Sequence, residues 1–299
     1  MRRQARAPAF GDAGCRCASE SKDLLFLNAD ADGRFCYLVP LMPSAITLSV
    51  ENRVALITGG SRGIGAATVR MFVQAGAKVA FNYQKARDAA DRLVSECGAE
   101  RCLAVQADLR SIESACTLID AAIQRFGALD ILVANHGIWP PDDVPIDRMT
   151  DRQWRDSMAI NLDSVFGLVK HAVAQMKKQA RGGHLVLVSS TAGQRGEAFH
   201  CDYAAAKGAV ISMVKGLATE LAPHRIYVNC VAPGWVDTDM AAPALATAEA
   251  RDIVLRTIPL RRIATPAEIA APILFLCTEH AAFITGEIFN VNGGAVLVG

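Results

Sequence analysis

Tyr203 and Lys207 stand four positions apart. On a helix that spacing puts both side chains on one face, about one turn apart. A free phenol titrates near pH ~10, too high for a base at neutral pH. A neighbouring ammonium favours the phenolate and lowers that value. Tyr203 can then hand a proton to a carbonyl oxygen as hydride arrives, or take one from an alcohol in reverse. Ser190 lies thirteen residues before Tyr203, at the end of the apolar run His184–Ser190. Its hydroxyl would hold the same oxygen. Alone, a Tyr–Lys pair is more often a buried tyrosine beside a surface lysine. Together with Ser190 and a hydride carrier it reads as a hydride-transfer site.

The carrier's site is legible upstream. Val54–Thr58 runs directly into Gly59-Gly60-Ser61-Arg62-Gly63-Ile64-Gly65, and a helical pattern follows. Glycines in a tight strand-to-helix turn let the backbone approach a pyrophosphate seated on the helix N-terminus. The spacing is G-x-x-x-G-x-G, which differs from the general G-x-G-x-x-G fingerprint. No Gly-Lys-Ser/Thr follows, so it is no P-loop. The next strand ends at Asn82. An acid there would bond a ribose 2′-hydroxyl and favour NAD, but Phe81–Lys85 contains none. Arg62 can fork onto a 2′-phosphate. NADP is therefore the expected cofactor, with NAD possible. The plain alternative is that Arg62 and Lys85 are solvated charges.

These groups need a scaffold that brings distant segments together. Seven β-rich runs recur between helical stretches: Val54–Thr58, Lys78–Asn82, Leu103–Asp108, Ile131–Asn135, His184–Ser190, Ile226–Val231 and Ile288–Asn292. They are apolar at nearly every position, as strands buried on both faces are. The expected fold is α/β: one Rossmann-type, doubly wound domain over residues 51–299, a seven-stranded parallel sheet flanked by helices. Thr150-Asp151-Arg152-Gln153 and Thr265-Pro266-Ala267-Glu268 read as capping boxes. The first is followed by Trp154, Met158, Leu162, Val165 and Val169 at helical spacing. Tyr203, Lys207, Val210, Val214, Leu217 and Leu221 mark another helix.

Composition bounds the rest. The chain has 299 residues, 52% hydrophobic and 20% charged, so it can bury a sizeable core and is not largely disordered. The net charge of +1, from 31 basic and 30 acidic residues, argues against a broad nucleic-acid surface. No apolar run approaches the roughly 18 residues of a membrane helix. The nine cysteines are scattered without a C-x-x-C pair, which favours free thiols in a reducing, cytoplasmic setting. Residues 1–50 show no sustained period. They read as an irregular extension, or as a start placed upstream of the true one, with Met42 close to the first strand. Cys15 and Cys17 lack a further ligand set, so no metal site is expected.

From residue 51 to 299 the chain resembles the short-chain dehydrogenase/reductase family, and most closely its 3-oxoacyl-acyl-carrier-protein reductases. Thr58–Gly65 is similar to the family's cofactor loop, and Asn161, Ser190, Tyr203 and Lys207 match its catalytic residues. The resemblance implies that Asp108, with Leu109 beside it, contacts adenine, and that Asn161 holds a water for a proton relay through Lys207. It implies that Pro233, Gly234, Val236 and Thr238 meet the nicotinamide. It also implies a dimer or tetramer, with the helices at 150–180 and 203–221 at one interface. One motif departs. The usual Asn-Asn-Ala-Gly is Ala134-Asn135-His136-Gly137 here. Asn135 and Gly137 fit; Ala134 lacks a side chain that ties neighbouring strands, and His136 is expected to pack rather than to reach a ribose.

Substrate contacts are expected from Ile138–Asp143, Gly193–Asp202 and Trp235–Arg251, with Trp139, Phe199, His200, Cys201 and Trp235 as an apolar wall. The resemblance implies a 3-oxoacyl thioester and an acidic acyl-carrier protein. Lys177, Lys178, Arg181 and Arg225 are candidates for a basic docking patch. Relatives that reduce sugars, steroids or small ketones share the same motifs. A non-catalytic dinucleotide sensor would be expected to lose Tyr203 or Lys207, and a nucleotide-sugar epimerase to carry a larger C-terminal region.

Overall fold

A computed structural model describes residues 47–298. Most of the irregular extension, with Cys15, Cys17 and Met42, lies outside the described residues. Seven strands form one sheet: β1 (Val54–Ile57), β2 (Lys78–Tyr83), β3 (Cys102–Gln106), β4 (Ile131–Ala134), β5 (Gly183–Val188), β6 (Ile226–Pro233) and β7 (Ile288–Val291). Their order is β3-β2-β1-β4-β5-β6-β7, and every pairing is parallel. Each strand coincides with one of the seven apolar runs to within a residue or two.

Both faces of the sheet are covered, which is why the strands do not alternate. Ala55, Ile57, Ile131 and Val133 point to one core with Val69 and Phe72 of α1 (Gly63–Gln74). Leu56, Leu132 and Ala134 point to the other core. There they meet α3 (Ile112–Phe126), which follows α2 (Arg87–Cys97), and two longer helices named below. The strand order reverses between β1 and β4, and a cleft opens outside the carboxyl ends of the strands at such a point. Ahead of β1, Leu48 and Val50 already pack on the first core.

The single helix suggested by the spacing from Trp154 to Val169 is broken. α4 (Asp151–Met158) and α5 (Ser164–Gln179) are joined by a π turn, Ala159–Asp163. Trp154 is largely exposed rather than core. The first capping box is only half made. Thr150 accepts from the Gln153 amide, but the Gln153 side chain turns to Asp202. A short α6 (Thr191–Arg195) precedes the long α7 (Cys201–Leu221), and α8 (Ala248–Arg256) leads to α9 (Pro266–Phe275). At α9 the Thr265–Glu268 box is complete. α9 lies beside α1, its Ile269 and Ile273 entering the same core as Phe72. Among the described residues no helix is long and apolar enough to cross a membrane, and no three His, Cys, Asp or Glu side chains form a metal-binding group.

Candidate functional site

A cavity of about 500 Å³ lies at the carboxyl ends of the central strands. Gly59, Ser61, Arg62, Gly63 and Ile64 line it from the glycine loop, with Asn82, Asp108 and Leu109 at one end. Asn135 and Gly137 follow β4, Ser190, Tyr203 and Lys207 come from the β5–α7 region, and Pro233, Gly234, Val236 and Thr238 follow β6. Of the catalytic and cofactor residues expected at the site, Gly65 and Asn161 alone stand behind this lining.

The glycine loop fits an anion. Gly59 and Gly63 adopt φ of +64° and +53°, in the left-handed region that favours glycine. A Cβ on Gly65 would lie 2.0 Å from the Gly59 carbonyl oxygen, so the turn can close only with glycine there. No side chain caps the first amides of α1, and no acid occupies its first turn. Those amides and the helix dipole therefore remain available to a pyrophosphate.

Asn82 is a strut of this loop. Its Oδ1 accepts from Gly59 N at 2.7 Å and its Nδ2 donates to the Ala107 carbonyl at 3.2 Å. The side chain is thus committed to backbone and shapes the turn. Asp108 accepts from the Arg110 amide at 3.1 Å and from its guanidinium at 3.2 Å. These bonds, the amide's first, hold its carboxyl below the usual range. Arg62 pairs with Asp239 at 3.2 Å in an exposed ion pair.

Ser190 caps α6, accepting from the Ala192 amide at 3.1 Å, and it also hydrogen-bonds to Tyr203. Lys207 donates Nζ to the Val188 carbonyl at 3.0 Å and sits 5.9 Å from the centre of the Tyr203 ring. Burial lowers the Lys207 amine to about 8. Burial also pushes the Tyr203 phenol up to about 12, against the Ser190 hydrogen bond, which lowers it. The expected depression of the phenol by the lysine is thus not among the effects that set its value: burial dominates, and the Lys207 ammonium lies over the ring, held by the Val188 carbonyl.

Asn161 sits in the π turn, fully buried. Its Oδ1 accepts from Ile138 N at 2.9 Å, and its Nδ2 donates to the Ile138 carbonyl at 3.0 Å and to Ser157 at 3.2 Å. Gly137 makes room for it. A Cβ there would lie 2.8 Å from Asn161 Oδ1 and 3.3 Å from Lys207 Nζ.

Four expectations change. The lost side chain at Ala134 does not leave the strands untied, because Asn135 donates Nδ2 to the Thr58 carbonyl and its amide to Thr58 Oγ1, both at 3.0 Å. His136 does more than pack. Its Nδ1 meets Thr58 Oγ1 at 2.7 Å and its Nε2 meets Ser164 Oγ at 2.6 Å. Of the expected apolar wall, Trp139 and Trp235 line the cavity, in edge-to-face contact at 6.1 Å. Phe199, His200 and Cys201 do not line it; His200 stacks behind Trp139 at 4.6 Å. Finally, the basic cluster lies at the wrong end of the sheet. Lys177 and Lys178 end α5, and Arg181 and Arg225 precede β5 and β6, opposite the strands' carboxyl ends. Arg181 is also committed to buried Asp130 at 2.7 Å.

Within the expected segments, Arg195 and Glu197 were not singled out, yet both line the cavity. Burial raises the Glu197 carboxyl, opposed by His200, Arg195 and a hydrogen bond from Trp139. A charged residue in an irregular loop has no periodicity to mark it, so only its neighbours reveal it.

Residues 59–296 match the model of the family described as Enoyl-(Acyl carrier protein) reductase. The 3-oxoacyl-[acyl-carrier-protein] reductase of Synechocystis sp. is 39% identical over 248 residues, 82% of this chain and 97% of that protein. The protein of that name from Vibrio cholerae is 37% identical over 259 residues, 84% of this chain and 100% of its own. A crystal structure from Brucella melitensis, described as Short-chain dehydrogenase/reductase SDR:Glucose/ribitol dehydrogenase, has a TM-score of 0.78 at 35% identity. It covers 85% of this chain and 100% of that one.

Proposed function

The chain belongs to the short-chain dehydrogenase/reductase family, and from that premise we propose that it is an NADP(H)-dependent reductase of 3-oxoacyl thioesters. The activity is assigned to residues 51–299. The observation that carries this reading is one cavity lined by Ser190, Tyr203, Lys207 and a glycine loop whose helix amides are uncapped.

The glycine loop, with Ser61, Gly63 and Ile64, would hold the pyrophosphate. Arg62 would take the 2′-phosphate, since no acid ends β2. Asp108 and Leu109 would bound the adenine, and Pro233, Gly234, Val236 and Thr238 the nicotinamide. When bound, NADP(H) supplies the hydride that the carbonyl carbon accepts. Ser190 and Tyr203 hydrogen-bond the carbonyl oxygen and orient it. Tyr203 gives its proton to that oxygen as negative charge develops there. Lys207, beside the phenol, favours the phenolate left behind and would pass a proton back toward it, and Asn161 would hold the water through which Lys207 is reprotonated from solvent.

The curated relatives' names support the thioester, and an acyl-carrier protein is the matching partner. A dimer or tetramer in the cytoplasm completes the proposal, and the six free cysteines among the described residues suit a reducing compartment. A second reading has its own observation. Arg195, Glu197 and two indoles at the cavity also suit a hydroxylated substrate, such as a sugar or its open-chain alcohol. The test is NADPH and NADH oxidation by wild type and Tyr203→Phe over a carbonyl panel that includes acetoacetyl thioesters. Thioester turnover that prefers NADPH and collapses in the variant is expected. Turnover that persists in Tyr203→Phe, or that is faster with NADH, overturns the assignment concerned.

A further inference from the structure

The hydrogen bonds around His136 run in one direction. Asn135 N donates to Thr58 Oγ1 at 3.0 Å, which leaves the Thr58 proton for an acceptor. His136 Nδ1 is the nearer acceptor at 2.7 Å; the Val133 carbonyl lies at 3.4 Å. With Nδ1 accepting, the ring proton sits on Nε2 and is donated to Ser164 Oγ at 2.6 Å. Ser164 in turn donates to the Ile160 carbonyl at 2.7 Å. In that tautomer every hydroxyl and ring nitrogen in this chain has a partner, and Thr58 Oγ1 also accepts from the His136 amide at 3.3 Å.

The two ends of the chain matter. Thr58 opens the glycine loop, and a Cβ on Gly59 would lie only 3.1 Å from His136 Cα, so the imidazole's backbone abuts that loop. Ile160 precedes Asn161 within the π turn. Such turns are rare and depend on specific support, because they shift the helical ladder by one residue. We infer that His136 is a positioning residue, a rigid strut from the glycine loop through Ser164 to the π turn that aims Asn161. An alanine here would leave two buried hydroxyls facing a void between β1 and α5.

The ring stays neutral in this setting. Burial foremost, and then the Lys207 ammonium, lower its pKa to about 3. A neutral imidazole can accept on one side and donate on the other, which the protonated form cannot do.

The inference rests on the proposed proton relay through Asn161 and Lys207, and its test separates the two. His136→Ala, Ser164→Ala, the double variant and His136→Gln are compared with wild type. In His136→Ala, kcat falls about tenfold while the carbonyl KM moves less than about twofold. The solvent deuterium isotope effect on kcat rises, because the proton step becomes more limiting. Ser164→Ala, which barely changes volume, shifts the isotope effect the same way. The double variant is no worse than His136→Ala, since both act through one chain. His136→Gln, with a donor and an acceptor on one amide, recovers part of the rate. Hydrogen exchange, read without substrate or cofactor, is faster at residues 158–163 and at Ile138 in both single variants. Unchanged isotope effects with unchanged exchange overturn the strut, as does a silent Ser164→Ala. If His136→Ala does not fold, Ser164→Ala and His136→Gln decide. If wild type turns over no carbonyl, the reductase reading falls, and exchange at 158–163 still decides for or against His136.

Discussion

Arg62 Nη1 lies 3.2 Å from Asp239 Oδ2, joining the glycine loop to the segment after β6. Both side chains are exposed, at 68% and 70%, so the pair itself is weak. Its interest is competition, because the Nη1 that Asp239 holds is drawn away from a 2′-phosphate at the loop. Arg62→Ala is expected to weaken NADPH binding about tenfold, through a lost charge-assisted bond, and to leave NADH nearly unchanged. Asp239→Asn is expected to tighten NADPH about two- to fivefold, less so at high salt. Fluorescence titration of both nucleotides checks this. Equal effects of Arg62→Ala on NADPH and NADH would remove Arg62 from cofactor selection.

Lys207 links function to stability through pH. Burial lowers its amine to about 8, against an ordinary value of 10.5. Between these values the unfolded chain holds a proton that the native protein has released. Stability from this group therefore rises as pH climbs from about 8 towards 10.5, and the penalty of burying the charge is full below about 8. Lys207→Met removes the penalty, offset by the lost bond to the Val188 carbonyl. The variant is expected to melt a few degrees above wild type at neutral pH, with the gap closing by pH ~10, while turnover falls at least about a hundredfold. A gap that ignores pH would show that the amine is not desolvated in the native protein.

The fold was readable because its central strands are buried on both faces. Ile57 and Leu56 serve opposite cores, so the run stays apolar without alternating. The chemistry was readable where it follows local spacing, as with Tyr203 and Lys207 on one helix. It was not readable where a side chain's partners come from remote backbone. Asn82, expected at the cofactor from its place at the end of the second strand, has its side chain taken by the Gly59 amide and the Ala107 carbonyl. The π turn also left no mark, since Leu162 and Val165 fit a regular helix, and the slip shows only in the backbone, where the Ser164 amide donates to the Ala159 carbonyl. The basic cluster misled for a simpler reason. Charge in sequence does not say which end of a sheet it occupies.

Gly65 gives a test of the glycine loop that does not depend on substrate. Its Cβ would sit 2.0 Å from Gly59 oxygen, part of the turn's own backbone, and 2.9 Å from Asn135 Nδ2, an amide bonded to the Thr58 carbonyl. Neither can yield without moving the loop. Gly65→Ala is expected to lower NADPH affinity at least about tenfold and to reduce the melting temperature by several degrees. Calorimetric titration with melting in the same buffer checks both. A variant that melts like wild type and binds NADPH normally would mean that the loop is looser than its contacts imply.

Glu197 decides between the two substrate readings. It lines the cavity beside Trp139, and its negative charge raises the Tyr203 phenol, after the larger effect of burial. Removing that charge lowers the phenol's pKa, so in the alcohol-oxidising direction, where the phenolate is the base, the rising limb of the rate profile moves to lower pH. A 3-oxoacyl thioester presents no hydroxyl that requires a carboxylate at this point. Glu197→Gln is therefore expected to keep kcat/KM for acetoacetyl thioester within about threefold while shifting the oxidation profile acidward. A polyol binds differently, stacking an apolar face on the indole and donating hydroxyl protons to the carboxylate, and the amide would lose the charged acceptor. A loss of about tenfold or more, confined to polyols that wild type turns over faster than the thioester, would put the hydroxylated substrate first.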